Sequence, residues 1–247
     1  MASTLHTPSL FLKNVPDVGT YCDPAGGPRT TGSGVCLFED YRPNAGTPRN
    51  LACILFNVRK ANPPRLEHGG GGCDKPDGSE PAWMTAKREL REESANLFRI
   101  PSAAMKVAAY EMEGQYRVYA IKVSPDVVKR RDFDANVKTI QTAYAKYNKS
   151  VPHEWREMDR MVRVYVDTLR ADGIDKYGTK NFRTHDTDGN PVTIRDRDCS
   201  ALLKLLNGAG GRPPAVDNMA EVPLKRDDNY KPEKGLEFLK GTVQYFG

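Results

Sequence analysis

The chain has 247 residues with mean hydropathy -0.63 and a formal net charge of +5, a length that holds one substantial domain with extensions or two small ones. The charge is mild: it is compatible with anionic substrates and with RNA and compels neither. No apolar run is long enough to cross a bilayer as a helix, and the opening MASTLHTPSLFLKNVPDVG lacks a basic segment followed by a long apolar core, so neither a membrane nor a signal peptide is expected.

Residues 1–31 are rich in Pro, Gly and Thr and read as an irregular lead-in. Gly32–Glu39 reads as a strand, Tyr41–Asn50 as a loop, and the short apolar run Leu51–Arg59 as a buried strand. Pro63–His68 leads into a run of four glycines, Gly69–Gly72, read as a loop. An acidic helix follows, started by Glu80-Pro81, with Pro81 suited to a first turn. Met105–Met112 and Gln115–Val123 alternate and are expected to be strands joined at Glu113-Gly114. Pro125–Ser150 is polar and partly helical, and reads as an insertion whose helix covers a sheet. Met161–Val166 reads as a strand, and Asn181–Thr193 as a hairpin turning at Thr187-Asp188-Gly189-Asn190. That turn resembles a calcium loop only superficially, because the twelfth position is Arg197 instead of a bidentate Glu. Asp196–Asn207 is a helix stopped at Gly208, and 208–247 an extended C-terminal extension. Phe238, Val243, Tyr245 and Phe246 imply that its end docks on the domain or on a second subunit, which would make a homodimer. These segments alone give an α+β fold.

The chemistry concentrates in GGGGCDKPDGSEPAWMTAKRELREESAN. On a helix Glu89, Glu92 and Glu93 stand at i, i+3 and i+4 and share one face. Three adjacent carboxylates repel unless a cation joins them, and hard oxygen donors suit Mg²⁺ or Mn²⁺. Trp83, Ala86, Leu90 and Leu97 form an apolar stripe beside that face, so the carboxylates lie at the margin of a core. A glycine run lets backbone groups approach a metal or a phosphate closely.

Arg88-Glu89-Leu90-Arg91-Glu92-Glu93, with Glu80 seven residues before Arg88, resembles the Nudix box. Two departures stand out. The glycine position counted back from Glu80 falls on Asp74, so Gly72 fits only with a loop two residues longer, and the closing Gly-aliphatic pair reads Ala95-Asn96. The resemblance implies an α/β/α sandwich with a mixed sheet over residues 32–207, and hydrolysis of a nucleoside diphosphate linked to another group. It implies Glu89, Glu92 and Glu93 as metal ligands, with a backbone carbonyl from Gly71 or Gly72. Arg88 would hold a box glutamate bidentately, and Glu80 would order the loop or bind a second metal. The general base would be a box glutamate or one in a distant loop; Glu154 and Glu157 occupy that kind of place, with Glu111 and Glu113 weaker candidates.

Substrate choice stays open among a small nucleotide diphosphate, a capped RNA and a diphosphoinositol polyphosphate, and a non-catalytic nucleotide- or RNA-binding module is disfavoured by the intact glutamates. Lys129, Arg130 and Arg131 could contact phosphates of an RNA strand, although a solvated helix is the commoner use of such residues. Trp155 could stack on a base or line a core. The five cysteines are odd in number and scattered, which suits a reduced cytoplasmic setting, and the four histidines show no zinc spacing.

Overall fold

The computed structural model describes residues 30–58, 61, 64–73, 80–125, 127–147, 156–177, 181–208, 211, 213–226 and 246. The strands in chain order are β1 (Gly32–Tyr41), β2 (Asn50–Val58), β3 (Leu66–Glu67), β4 (Gly69–Gly72), β5 (Ala109–Glu113), β6 (Tyr116–Val123), β7 (Met158–Tyr165), β8 (Phe182–His185), β9 (Pro191–Ile194) and β10 (Ala220–Val222). The helices are α1 (Ala82–Glu93), α2 (Ser102–Val107), α3 (Arg130–Tyr147), α4 (Val166–Ala171), α5 (Ile174–Tyr177) and α6 (Asp196–Asn207).

The strands build one mixed sheet. β1 is its hub: it pairs in parallel with β6 on one side, while its other edge is shared. Gly32–Val35 pair antiparallel with β4, and Leu37–Tyr41 pair antiparallel with β2. Alternation along β1 sends Val35 and Leu37 to one face and Cys36 and Phe38 to the other. The first face packs on α1, α2 and α3 through Ala86, Leu90, Met105, Phe133, Val137 and Ile140. The second packs on α4, α5 and α6 through Leu169, Ile174, Leu202 and Leu205. Helices therefore cover both faces of a mixed sheet, in keeping with the α+β class.

Four expectations change. The glycine run is strand β4, not a loop, because a bare backbone fits between β1 and α1. Ser102–Val107 is helix α2, where a strand is expected from Met105. Extended Pro101 precedes it, and the helix buries Met105 while leaving Val107 62% exposed. Val166 opens α4 instead of closing a strand. The extension is not wholly extended coil: Ala215–Asn218 form a 3-10 turn and β10 joins the sheet beside β6. Its end docks on this chain's own core, with buried Phe246 bonded through its backbone to Leu97 and Arg99; Phe238, Val243 and Tyr245 lie outside the described residues. The segment read as an insertion is bound into the core by Phe133, Val137 and Ile140 of α3.

β4 decides where α1 sits. A Cβ on Gly69 would stand 2.7 Å from Leu90 Cδ1 and 3.0 Å from Leu90 Cα, and one on Gly71 would stand 2.3 Å from Glu89 Oε2. A Cβ on Gly72 would meet nothing within 4 Å. We expect Gly69→Ala to destabilise the protein by about 1–3 kcal/mol, the cost of overpacking against a backbone that must move. Gly72→Ala should change stability by less than about 0.5 kcal/mol, as surface changes do. Urea unfolding of the two variants checks the contrast; equal effects would mean that α1 does not rest on the glycine strand.

Candidate functional site

β4 pairs with β1 alone among the described strands, so its outer edge carries backbone groups that need partners. The side chains of α1 supply them. Gly70 N–H donates to Glu93 Oε2, and Gly72 carbonyl accepts from Arg88 Nη2 at 2.9 Å. Two residues apart, these glycines share the outward direction, while the Gly71 carbonyl faces Gly32 of β1.

Arg88 ties the acidic face together. Its Nη1 donates to Glu89 Oε1 at 2.7 Å and to Glu92 Oε2 at 3.1 Å, and its Nη2 lies 3.5 Å from Glu80 Oε2. Glu80 also accepts from Thr85 Oγ1 at 2.9 Å, and Cys73 Sγ lies 3.7 Å from the same oxygen. The side chains of Arg88, Glu89 and Glu92 are 17%, 12% and 12% exposed, enough to meet a ligand at the surface while held in a low-dielectric margin. Among the described residues no three His, Cys, Asp or Glu side chains are gathered as a metal cluster. The carboxylates are arranged around the guanidinium instead.

Glu93 is the buried member. Burial pushes its carboxyl well above the ordinary carboxylate range; the Gly70 N–H opposes this, and the charges of Glu89, Glu67 and Asp198 add to it. A cation at this edge would reverse that balance. Just beyond α1, Ala95 and Asn96 both take left-handed backbone, with φ 52° and 61°. Ala95 and Asn96 stand where the resembled motif closes with a Gly-aliphatic pair, and Asn tolerates that region better than most residues. Asn96 Oδ1 also accepts from Arg99 at 3.0 Å.

The site thus brings together Glu80, Arg88, Glu89, Glu92, Glu93, Gly71 and Gly72. It does not gather the basic segment. Lys129, Arg130 and Arg131 are exposed around the start of α3. Arg130 lies 3.9 Å from Asp134 and from Asp188, and it lines a cavity of about 50 Å³ with Tyr41 and Arg163, away from the Glu80–Arg88 group. Glu157 directly precedes β7 and is half-buried. Glu154 and Trp155 lie outside the described residues. Glu113 is paired with Lys204 of α6, and Glu111 is buried. The turn at Asp186 is a hairpin turn, its Oδ1 accepting from the backbone N–H groups of Asp188 and Asn190.

Behind the glycine strand lies a polar layer that sequence patterns do not announce. Asp198 of α6 is fully buried, accepts from His68 N–H at 3.0 Å, and contacts His68 Nδ1. The Tyr116 ring meets His68 edge-on at 5.7 Å, and its hydroxyl lies where a Cβ of Gly70 would be. Arg197 stacks 4.7 Å above Tyr116, and its Nη2 lies 3.8 Å from Glu67. Burial raises the Tyr116 hydroxyl well above its ordinary value, against the opposing charge of Arg197. The sequence carries no separate signal for this layer, since an Asp in a helix's first turn usually serves the helix dipole.

No protein-family model and no curated protein matches this sequence. Among solved structures, the chain is similar to a C. elegans Ap4A hydrolase in a binary complex, at 14% identity and a TM-score of 0.25. The match covers 38% of this chain and 66% of that one.

Burial pushes the Asp198 carboxyl up, but the His68 charge, the hydrogen bonds from His68 and the nearby Arg197 outweigh it and hold the group below its ordinary value of 3.8. A depressed carboxylate stabilises the fold above the unfolded value and loses that contribution as pH falls through the folded value. We therefore expect Asp198→Asn to cost roughly 1–3 kcal/mol at neutral pH, the penalty for buried donors that lose their carboxylate acceptor. The gap between wild type and variant should close below pH 3.8, followed by urea unfolding across pH. A gap that persists unchanged in acid would remove the Asp198 carboxylate as its source.

Proposed function

We propose that the protein is a divalent-metal-dependent hydrolase of the Nudix type, which cleaves the diphosphate of a nucleoside diphosphate linked to another group. One observation carries this reading most: Arg88, the motif arginine, joins Glu80, Glu89, Glu92 and the carbonyl of a glycine strand at one edge of the sheet. A solvated helix would instead hold such residues in loose i,i+4 pairs of little energy.

The donor set suits Mg²⁺ or Mn²⁺, with hard oxygens from Glu89, Glu92 and Glu93 and the outward Gly72 carbonyl. Gly71 presents no side chain to the Glu89 carboxylate, which fills the space a Cβ would take. Glu93, buried among other acids, is the group that gains most from a cation. A bound ion of this kind would neutralise the diphosphate and lower the pKa of a water.

The protein's own groups then do the positioning. Arg88 fixes Glu89 and Glu92 in orientation through two donors from a rigid plane, which a lysine ammonium would not reproduce. Glu80, anchored by Thr85, holds the other edge of that guanidinium. Glu93, held by the Gly70 N–H, faces the same edge as a proton acceptor or an ion ligand. Water attacks phosphorus in line, its proton passes to a box glutamate, Glu157 or Glu154, and the anhydride P–O bond breaks with the bridging oxygen leaving on the other phosphate.

The test is a substrate panel with Mg²⁺ and Mn²⁺, containing dinucleoside polyphosphates, nucleotide sugars, nucleoside triphosphates, capped RNA and a diphosphoinositol polyphosphate, scored by product mass. On whichever diphosphate is cleaved, Glu92→Gln and Glu93→Gln should each lower turnover by ~10²-fold or more, with the circular dichroism of the folded protein retained. Near-normal turnover in both variants would sink the assignment.

A further inference from the structure

Five strands bring three arginines to one groove. It measures about 400 Å³ and is lined by Asn57 of β2, Arg65 and Leu66 at the start of β3, Arg160 of β7, Arg183 of β8 and residues 191–193 of β9. None of these belongs to the Glu80–Arg88 group. The sheet register gathers them: Asn57 stands opposite both Arg160 and Leu66, Leu66 pairs with Ile194, and Arg183 pairs with Thr193. Leu66 and Val192 supply the apolar part of the lining.

The charges here are unbalanced. Among the described residues the lining contains no carboxylate. Neither Arg160 nor Arg183 has a hydrogen bond or an ion pair to a described residue, and the Nε of half-buried Arg160 is shut off from solvent without a partner. Arg65 donates to Glu67 Oε1 at 3.0 Å, but that carboxylate also accepts from Arg195 at 2.8 Å and lies 3.8 Å from Arg197. One carboxylate therefore serves three guanidiniums. The acid next to Arg160 in the chain, Asp159, accepts from the Asn57 amide at 2.8 Å. Planar forks reaching in from separate strands hold an oxyanion bidentately.

The lining also selects among oxyanions. Among its described residues there is no aromatic ring to stack a base, and no glycine run or helix N-terminus to cradle a phosphate with backbone N–H groups. Guanidinium forks beside proline and aliphatic surface suit carboxylates carried on a short chain.

We propose that this groove docks an acidic peptide segment of a partner protein, its carboxylates on Arg160 and Arg183 and its chain along Leu66 and Val192. The site stands independently of the hydrolase reading.

The experiment is fluorescence anisotropy of a dye-tagged oligoglutamate with the full chain in EDTA, which keeps a cation from bridging the peptide to the acids of α1. Oligoglutamine and oligouridylate of equal length are the comparisons. Oligoglutamate should bind, oligoglutamine should not, and added salt should weaken the complex. Arg160→Gln and Arg183→Gln should each weaken binding by about tenfold or more, the scale of one charge-assisted contact. Lys225→Gln removes the same charge from an exposed position beyond β10, at the opposite end of the strand order from β8, and should stay within about twofold of wild type. Both arginine variants should keep the wild-type thermal midpoint, since neither side chain bonds to the described protein. If Arg160→Gln folds poorly, Arg183→Gln, at an exposed strand position, carries the test alone. Arg160→Lys restores the charge without the fork and should recover only part of the affinity. No oligoglutamate binding by the wild type, an equal loss in Lys225→Gln, or unchanged affinity in the folded arginine variants would each overturn the proposal. Tighter binding of oligouridylate, lost in the same arginine variants, would assign the groove to nucleic acid and overturn it as well.

Discussion

A strand without side chains holds the acidic helix in place. The β pleat sends alternate Cβ atoms to opposite faces, so the glycines of β4 and the facing part of β1 leave space on both sides. Toward α1, Gly69 and Gly71 admit the Leu90 backbone and the Glu89 carboxylate. Toward α6, Gly34 leaves room for the His68 ring, while Gly32 and Gly70 leave room for Tyr116. Each glycine costs backbone entropy on folding relative to alanine. Here that loss is offset by the Leu90 contact on one face and by two aromatic rings on the other.

The same approach solves an edge-strand problem. β4 would otherwise expose N–H and C=O groups to any passing strand. Its outward groups at Gly70 and Gly72 are instead taken by Glu93 and Arg88. The Glu93 and Arg88 side chains thus close the sheet edge, so the acidic face of α1 and the local fold are one set of bonds. The guanidinium is the hinge of this arrangement, because without it Glu80, Glu89 and Glu92 would repel across a few ångströms.

Much of this was legible before any coordinates. β1, β2, the hairpins β5–β6 and β8–β9, and α6 with its Gly208 stop follow from alternation, turn residues and helical spacing. The shared face of Glu89, Glu92 and Glu93 follows from 3.6-residue periodicity alone. What escaped has definite causes. Four glycines carry no pattern, so their strand character depends on the partner β1, which sequence does not specify. In α3 the apolar stripe Phe133, Val137 and Ile140 is diluted by surrounding charges, so composition does not mark it as core-forming. α2 is a single short helix in which Met105 and Val107 mimic alternation. The pairing of His68 with Asp198 spans 130 residues, beyond the reach of any local rule.

The consequences meet in α1, which carries opposite electrostatic demands on adjacent faces. One face gathers carboxylates against the glycine strand, and another gathers Lys87 and Arg91 against residues 98–102. Arg88 lies between them, bonded to Glu89 and Glu92. Behind it, burial raises the Tyr116 hydroxyl, and the charges of Glu93 and Asp198 add to this. The glycines that let α1 approach on one face also let the Tyr116 and His68 rings approach on the other, so acidic helix and buried polar layer are packed against the same bare strands.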